Sequence, residues 1–141
     1  MKEQNLLEHI QSPQDVKALG ERELQTLCGE IRETLIQTVS ETGGHLASNL
    51  GVVELTVALH REMNCPDDSI VWDVGHQCYT HKLLTGRYGR FHTLRQHGGI
   101  SGFPNPKECD CDAFVAGHSS TAVSAASGQA RANTLLHNRH Y

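Results

Sequence analysis

Two stretches of the sequence share one pattern, a short apolar run that ends in a glycine and a histidine. Residues 70–77 read Ile-Val-Trp-Asp-Val-Gly-His-Gln, and residues 114–120 read Phe-Val-Ala-Gly-His-Ser-Ser. Short apolar runs bounded by turn-forming residues are typical of buried strands. We therefore predict strands over 70–73 and 113–116, with helices before, between and after them. Strands that alternate with helices indicate an α/β domain in which helices flank a parallel sheet.

Apolar residues at helical spacing predict most of the remaining elements. Between residues 21 and 41 they recur every three or four positions, which is the stripe of a helix that faces a core. Ser12 and Pro13 are typical of a helix start, and Gly20 ends the short helix that they open. The predicted helices cover residues 13–19, 21–41, 48–63, 79–84 and 121–136.

The segment from 88 to 112 carries no periodic pattern. Glycine and proline recur through its first twenty residues, and a loop of that length is usually functional or mobile. We treat residues 1–141 as one domain that contains this long functional loop. Two short strands do not complete a doubly wound sheet, and no strand follows the last predicted helix. We therefore expect a sheet that is incomplete at the C-terminus.

Histidine follows glycine at three places in the chain, at His45, His76 and His118. In open α/β sheets, ligands bind at the carboxyl ends of strands, and glycine lets a backbone come close to a ligand. His118 and Ser119 stand where the last helix is predicted to begin, and the free N–H groups of a helix start favour an anion such as a diphosphate. Structural histidines in tight turns would give the same sequence. We favour one shared site because the pattern recurs.

Charge and hydropathy exclude two classes of partner. The net charge is -4 and the 12 basic side chains form no run, whereas binding to a phosphate backbone needs clustered lysine and arginine. No apolar run approaches the roughly 20 residues of a membrane span, and the first residues lack the apolar stretch of a secretory signal. We expect a cytoplasmic protein that binds neither nucleic acid nor membrane. Its five cysteines are then expected to be free thiols.

Four sequence blocks resemble the signatures of the 1-deoxy-D-xylulose 5-phosphate synthase family, in the order of that family. The resemblance extends from about Pro13 to Ala132, which is nearly the whole chain. Transketolase, the nearest related family, resembles the second block less closely. The blocks are residues 43–56, residues 70–77 with 81–87, residues 93–104 and residues 117–121.

The resemblance implies a fold and an activity. It implies a thiamine-diphosphate-binding domain of the transketolase type, in a homodimeric enzyme that condenses pyruvate with glyceraldehyde 3-phosphate and releases carbon dioxide. That reaction feeds isoprenoid precursor and thiamine biosynthesis. The chain would be the amino-terminal portion of the enzyme. The ligands of Mg²⁺ are expected beyond residue 141 and none within the chain, so the chain alone is expected to be inactive.

The resemblance also assigns roles to six residues of this chain. His45 would be the catalytic histidine that assists proton transfer near the reacting carbon. A neutral imidazole suits that role near pH 7 because its unperturbed pKa is about 6.5. The other five residues would bind the cofactor, the last three of them at its phosphate end. They are His76, Ser48, Gly117, His118 and Ser119.

Other functions fit parts of the sequence less well. His97, Cys109, Cys111 and His118 suggest zinc, but Cys-x-Cys with distant histidines is not the spacing of a structural zinc site. Exposed thiols in a mobile loop are the simpler interpretation of the two cysteines. Two alternatives stay open: a non-catalytic interaction or regulatory remnant of the enzyme, and a transketolase-type subunit for ketol transfer.

Overall fold

The computed structural model describes residues 5–138, and the regular structure within that range is helical. None of the helices described is both long and apolar enough to cross a membrane. A π-helical turn covers Leu83–Arg87, and 3-10 turns cover Leu7–His9, Gly75–Gln77 and Tyr88–Thr93. The α-helices are α1 (Pro13–Lys17), α2 (Glu21–Thr42), α3 (Leu46–Leu50), α4 (Val53–Glu62), α5 (Tyr79–Lys82) and α6 (Ala122–Leu135).

Side-chain hydrogen bonds start the first two helices where the sequence predicts. The N–H of Ser12 donates to Oδ2 of Asp15 at 2.8 Å, and the N–H of Gly20 donates to Oε2 of Glu23 at 2.8 Å. Each carboxylate satisfies an N–H group at a helix start, where its negative charge also interacts favourably with the positive end of the helix dipole. The helices predicted over 13–19 and 21–41 are confirmed, with the first ending two residues sooner.

One face of α2 forms a wall of the core. Leu27, Ile31 and Leu35 are 0% exposed and recur at every fourth position, so that they share one side of the helix. Burial of each such side chain contributes about 1.5–3 kcal/mol relative to its exposure. The same core contains Val53, Val57, Tyr79, Phe91, Leu94 and Ile100.

The single helix predicted over 48–63 is wrong, because the chain forms α3 and α4 instead. The break falls at Gly51, and a glycine inside a helix costs about 1 kcal/mol relative to alanine. Val52 then leaves helical geometry, with φ -120° and ψ 14°. The apolar composition of residues 48–63 predicts a helix that is buried or lies at a subunit interface. Val53 is 0% exposed, whereas Leu55 is 57% exposed.

The parallel sheet predicted from the two apolar runs is wrong for residues 5–138, which contain no strand. The runs approach each other at one end, where the N–H of Gly75 donates to the carbonyl of Ala116 at 3.0 Å. A sheet requires a ladder of such bonds along both segments. Val115 is 57% exposed, so the second run also lacks the burial that a central strand would have. Four of the five predicted helices form, as α1, α2, α5 and α6, and the one predicted over 48–63 is replaced by α3 and α4.

Residues 88–112 begin with a 3-10 turn and continue without regular structure. Backbone contacts fix the middle of the segment: the N–H of Arg95 donates to the carbonyl of Ile100 at 2.8 Å. A Cβ at Gly99 would lie 2.0 Å from the carbonyl oxygen of Thr93. Only glycine fits there, because that separation is far below van der Waals contact.

A buried carboxylate fastens the end of this segment to the helices. Oδ2 and Oδ1 of Asp112 accept hydrogen bonds from Nη1 and Nη2 of Arg87, each at 2.7 Å. Nε2 of His81 lies 2.9 Å from Oδ1, and Nζ of Lys82 donates to Oε2 of Glu108 at 2.8 Å. Two-pronged guanidinium–carboxylate pairs are among the strongest charged contacts in proteins. Separation of this segment from α5 would leave buried charges without partners.

The histidines beside this carboxylate favour the neutral form. Burial lowers the pKa of His60 to about 3, and the nearby positive groups of His81 and Arg87 act in the same direction. Burial also lowers the pKa of His81, although its hydrogen bond to Asp112 opposes that shift. Burial would raise the pKa of Asp112, but hydrogen bonds from Arg87 and His81 hold it below its usual range. His60 Nε2 lies 2.8 Å from His81 Nδ1, so one ring donates and the other accepts.

Asp112→Asn tests how much the buried carboxylate stabilises the fold. The substitution keeps the side chain's size but removes the nearer counter-charge of Arg87, whose Nη1 then has Oε2 of Glu108 at 3.5 Å as its carboxylate partner. Loss of one partner of a buried ion pair costs about 3–5 kcal/mol. We expect urea unfolding of the chain to report a loss of that size. Asp110→Asn makes the same chemical change on an exposed residue and should alter stability by less than about 0.5 kcal/mol. Equal effects of the two substitutions would contradict the role given to Asp112.

Candidate active site

The structure stacks two of the three glycine-linked histidines on each other. His45 immediately precedes α3, and His76 lies in the 3-10 turn Gly75–Gln77. Their ring centroids are 4.1 Å apart with 24° between the planes. Partial burial lowers the pKa of His76, and the charge of His45 lowers it further. Two rings this close repel each other if both are charged, so His76 favours its neutral form.

A buried asparagine holds this histidine pair together. Nδ2 of Asn49 donates to the carbonyl of His45 at 2.6 Å and to the carbonyl of His76 at 2.8 Å. Its Oδ1 accepts the N–H of Tyr79 at 2.9 Å. Asn49 is 0% exposed, and these bonds use both donors and the acceptor of its amide. The amide therefore sets the separation of the two histidine turns and joins them to the start of α5.

Sequence reasoning missed Asn49, although a signal was present. Asparagine is a poor residue for a helix interior because its side chain competes for backbone hydrogen bonds. Asn49 also comes four residues after His45, at the spacing that lets a side-chain amide reach a carbonyl one turn back. A polar helix residue one turn after a candidate catalytic residue is therefore a candidate for positioning it.

Close packing at Gly75 brings the third glycine–histidine turn beside the second. The hydrogen bond from Gly75 to Ala116 places Gly117 next to the start of the 3-10 turn that carries His76. A Cβ on Gly75 would lie 2.2 Å from the carbonyl oxygen of Ala116 and 2.8 Å from Cδ of Pro104. The approach therefore requires glycine. His118 itself is exposed and is linked to the histidine pair through its neighbours.

A second missed residue, Asp73, anchors the turn that follows Gly117. Both carboxylate oxygens of Asp73 accept the N–H of Ser120, at 2.9 and 3.0 Å. Ser120 has a φ of 69°, which few residues other than glycine adopt without cost. The anchored turn presents Gly117, His118 and Ser119 to solvent immediately before α6. The signal was a carboxylate at the end of an apolar run, but its partner lies 47 positions away.

Ser48 occupies the remaining predicted position. It lies on α3, and its Oγ is buried and has no hydrogen-bond partner within residues 5–138. A buried hydroxyl without a partner costs about 1–3 kcal/mol. Contacts among the described residues bring His45 to His76 and Gly117 to the turn that carries His76, whereas no hydrogen bond within residues 5–138 links the Ser48 hydroxyl to them.

The four residues considered for zinc do not form a metal site. Over residues 5–138, no group of three or more histidine, cysteine, aspartate or glutamate side chains is arranged to hold a metal ion. The description of Cys109 and Cys111 as exposed thiols is also wrong, because both are half-buried.

Comparison with known proteins places this arrangement in a family. A protein-family model described as 1-deoxy-D-xylulose-5-phosphate synthase matches residues 7–141. Curated relatives with that name include proteins of Treponema pallidum subsp. pallidum, 62% identical over 88% of this chain, and Pelotomaculum thermopropionicum, 62% identical over 92%. The relative from Halothermothrix orenii is 56% identical over 93% of the chain.

The match covers one part of the relatives. The chain spans about a fifth of their length, 20% of the first two and 21% of the third. All four sequence blocks that carried the resemblance lie within residues 7–141, so the resemblance is confirmed. The chain belongs to the 1-deoxy-D-xylulose-5-phosphate synthase family.

Proposed function

We propose that this chain supplies the histidine turns of a thiamine-diphosphate site in a 1-deoxy-D-xylulose 5-phosphate synthase. The reaction would be the decarboxylative condensation of pyruvate with glyceraldehyde 3-phosphate, in isoprenoid precursor biosynthesis. The observation that carries the proposal is the stack of His45 on His76, held by the buried amide of Asn49. The names of the relatives favour this function over a non-catalytic remnant and over a ketol-transfer subunit.

The residues present fit the phosphate end of such a cofactor. A Cβ on Gly117 would meet no atom within 4 Å, so a ligand has open access to the backbone there. The turn at His118 and Ser119 precedes α6, a helix of 14 residues, whose first N–H groups favour an anion. The hydroxyl of Ser48 needs a hydrogen-bond partner, and a bound cofactor would provide one. We assign Gly117, His118, Ser119 and Ser48 to cofactor binding on these grounds.

The histidine pair would manage protons during the reaction. Bound thiamine diphosphate supplies the carbon nucleophile and the electron sink that decarboxylation of pyruvate requires. His45 is the exposed member of the stack, so its imidazole nitrogen can accept a proton from a substrate hydroxyl and return it. His76 lies behind it, half-buried and with a lowered pKa. A neutral His76 keeps the pair free to take up a proton near pH 7.

Other features of the proposed enzyme do not depend on the contacts of the histidine turns. We propose that Mg²⁺ ligands follow residue 141, and that the segment 88–112 acts as a functional loop of a domain spanning 1–141. We also propose that the enzyme is a cytoplasmic homodimer whose product serves thiamine biosynthesis too. Val123 is 72% exposed and Leu136 is 69% exposed. Apolar side chains at that exposure support coverage of α6 by further protein.

A segment exchange tests the proposed reaction. We would replace the matching 20% of the Treponema pallidum relative with this chain and measure carbon dioxide release that depends on both pyruvate and glyceraldehyde 3-phosphate. The chimera should be active, and His45→Ala should lower kcat by about 10²–10⁴-fold, the usual contribution of a general acid–base group. His92→Ala, which alters an exposed histidine outside the stack, should leave kcat unchanged. A folded chimera without activity, or equal rates for the two variants, would refute the proposal.

Asn49→Leu in the same chimera tests the positioning of the histidine pair. The substitution keeps the volume but removes three hydrogen bonds, leaving buried backbone groups unpaired at about 1–3 kcal/mol each. We expect a lower kcat and an acidic limb of the pH–rate profile that moves to higher pH. The limb should move because His76, freed from the stack, recovers a pKa nearer 6.5.

Asn64→Leu is the matched control, since Asn64 is an exposed surface residue. It should leave both kcat and the pH profile unchanged. If Asn49→Leu lowered stability while the acidic limb stayed in place, Asn49 would be structural only, and its assigned role in positioning His76 would be wrong.

A further inference from the structure

Three of the five cysteines meet at one cavity, whose lining includes neither His45 nor His76. Cys65, Cys109 and Cys111 all line a cavity of about 280 Å³, together with Ser12, Pro66 and Thr85. Cys65 belongs to the buried core and Cys111 packs against that core. All three are free thiols. The fold therefore brings a cysteine from the turn after α4 to two cysteines that lie more than forty positions further along the chain.

The three thiols interact as a chain with Cys111 in the middle. Cys111 hydrogen-bonds to Cys65 and to Cys109. The bond from Cys111 lowers the pKa of Cys65 despite burial, and Lys17 contributes in the same direction. The hydrogen bond with Cys111 raises the pKa of Cys109, and burial raises it further. Cys65 is thus the first of the three to become a thiolate, which is the nucleophilic form of cysteine.

We propose that Cys65 and Cys111 are a redox-active pair that a hydroperoxide converts to a reversible disulfide. The cavity gives a small oxidant access to both sulfurs and holds Cys111 at the same opening as Cys65, where the second sulfur can meet the first once it is oxidised. This site is separate from the proposed cofactor site, and the inference does not depend on the proposed function. Nothing in the histidine chemistry uses these thiols.

The reaction balances in two steps. The Cys65 thiolate attacks one oxygen of hydrogen peroxide, the O–O bond breaks, and the departing hydroxide takes a proton to leave as water, so that Cys65 becomes a sulfenic acid. The sulfur of Cys111 then attacks the sulfur of Cys65, the S–S bond forms and the S–O bond breaks. The second hydroxide leaves with the proton of Cys111 as water. Two thiols have lost two protons and two electrons, and one peroxide has become two waters.

The position of Cys111 gives the disulfide a structural consequence. The next residue is Asp112, whose carboxylate holds Arg87 and His81 in the interior. A disulfide between Cys111 and Cys65 would attach the end of the 88–112 segment covalently to the turn after α4, in addition to the contacts of Asp112. Oxidation should therefore restrict this segment further, and reduction should leave it held by noncovalent contacts such as those of Asp112.

Peptide mapping of the 141-residue chain under non-reducing conditions tests the proposal. The chain would be treated with hydrogen peroxide and digested, and linked peptides would be identified by mass spectrometry. We expect one intramolecular link, between Cys65 and Cys111, that dithiothreitol reverses. Cys109→Ser and Cys28→Ser should retain the link. A link between Cys109 and Cys111 instead, links only between separate chains, or no link would overturn the proposal.

A second variant separates the two chemical steps. Without its resolving partner, Cys111→Ser should accumulate a sulfenic acid at Cys65, which dimedone traps as a stable adduct. Circular dichroism would verify that the variant keeps the helical content of the parent chain. Trapping at Cys109 in preference to Cys65 would show that Cys65 is not the nucleophile and would overturn the order of steps.

Discussion

Buried side chains hold the short helix α5 in place at two of its residues, and the arrangement of the molecule depends on these contacts. At its first residue, Tyr79, the backbone N–H donates to the amide of Asn49. At its third residue, His81, the imidazole contacts the carboxylate of Asp112, which also binds Arg87. Each contact joins α5 to a segment distant in sequence. A polar group buried without such a partner would cost more than the contact contributes, so the partners specify a single arrangement.

The contacts of Asn49 and Asp112 with α5 connect the candidate active site to the rest of the fold. Asn49 sets where His45 and His76 lie relative to the start of α5, while Asp112 fixes the same helix from the opposite side. Neither the histidine stack nor the segment before Asp112 is held by regular backbone pairing. The chemistry of the site therefore rests on side-chain hydrogen bonds, and substitutions that look remote from the histidines can reach them through α5.

Local signals in the sequence predicted the helices well. The stripe of Leu27, Ile31 and Leu35 is a property of spacing alone, and Ser12 with Pro13 indicates a helix start, which α1 confirms. The recurrence of glycine before histidine predicted one shared site, and this stays a prediction. The hydrogen bond from Gly75 to Ala116 brings the starts of the turns at His76 and His118 together. Whether those histidines bind a cofactor is a separate question of chemistry.

The sequence did not predict which distant residues form hydrogen bonds with each other. An apolar run such as 113–116 does not state which segment will pair with it, and here it meets its expected neighbour at one end only. Asn49, Asp73 and Asp112 each have a partner that lies 25 to 47 positions away. No spacing rule connects residues that far apart, so hydrogen bonds of this kind emerge only once the chain is folded.

The central claim is that the glycine–histidine turns form one cofactor site, and histidine footprinting tests it most directly. Diethyl pyrocarbonate would modify the histidines of the chimera described above, with and without thiamine diphosphate and Mg²⁺, and peptide mass spectrometry would read each site. His45 and His118, both exposed, should become protected together over one range of cofactor concentration. The exposed residues His92 and His97 should react as before. Protection of neither His45 nor His118, or of one without the other, would contradict a shared site.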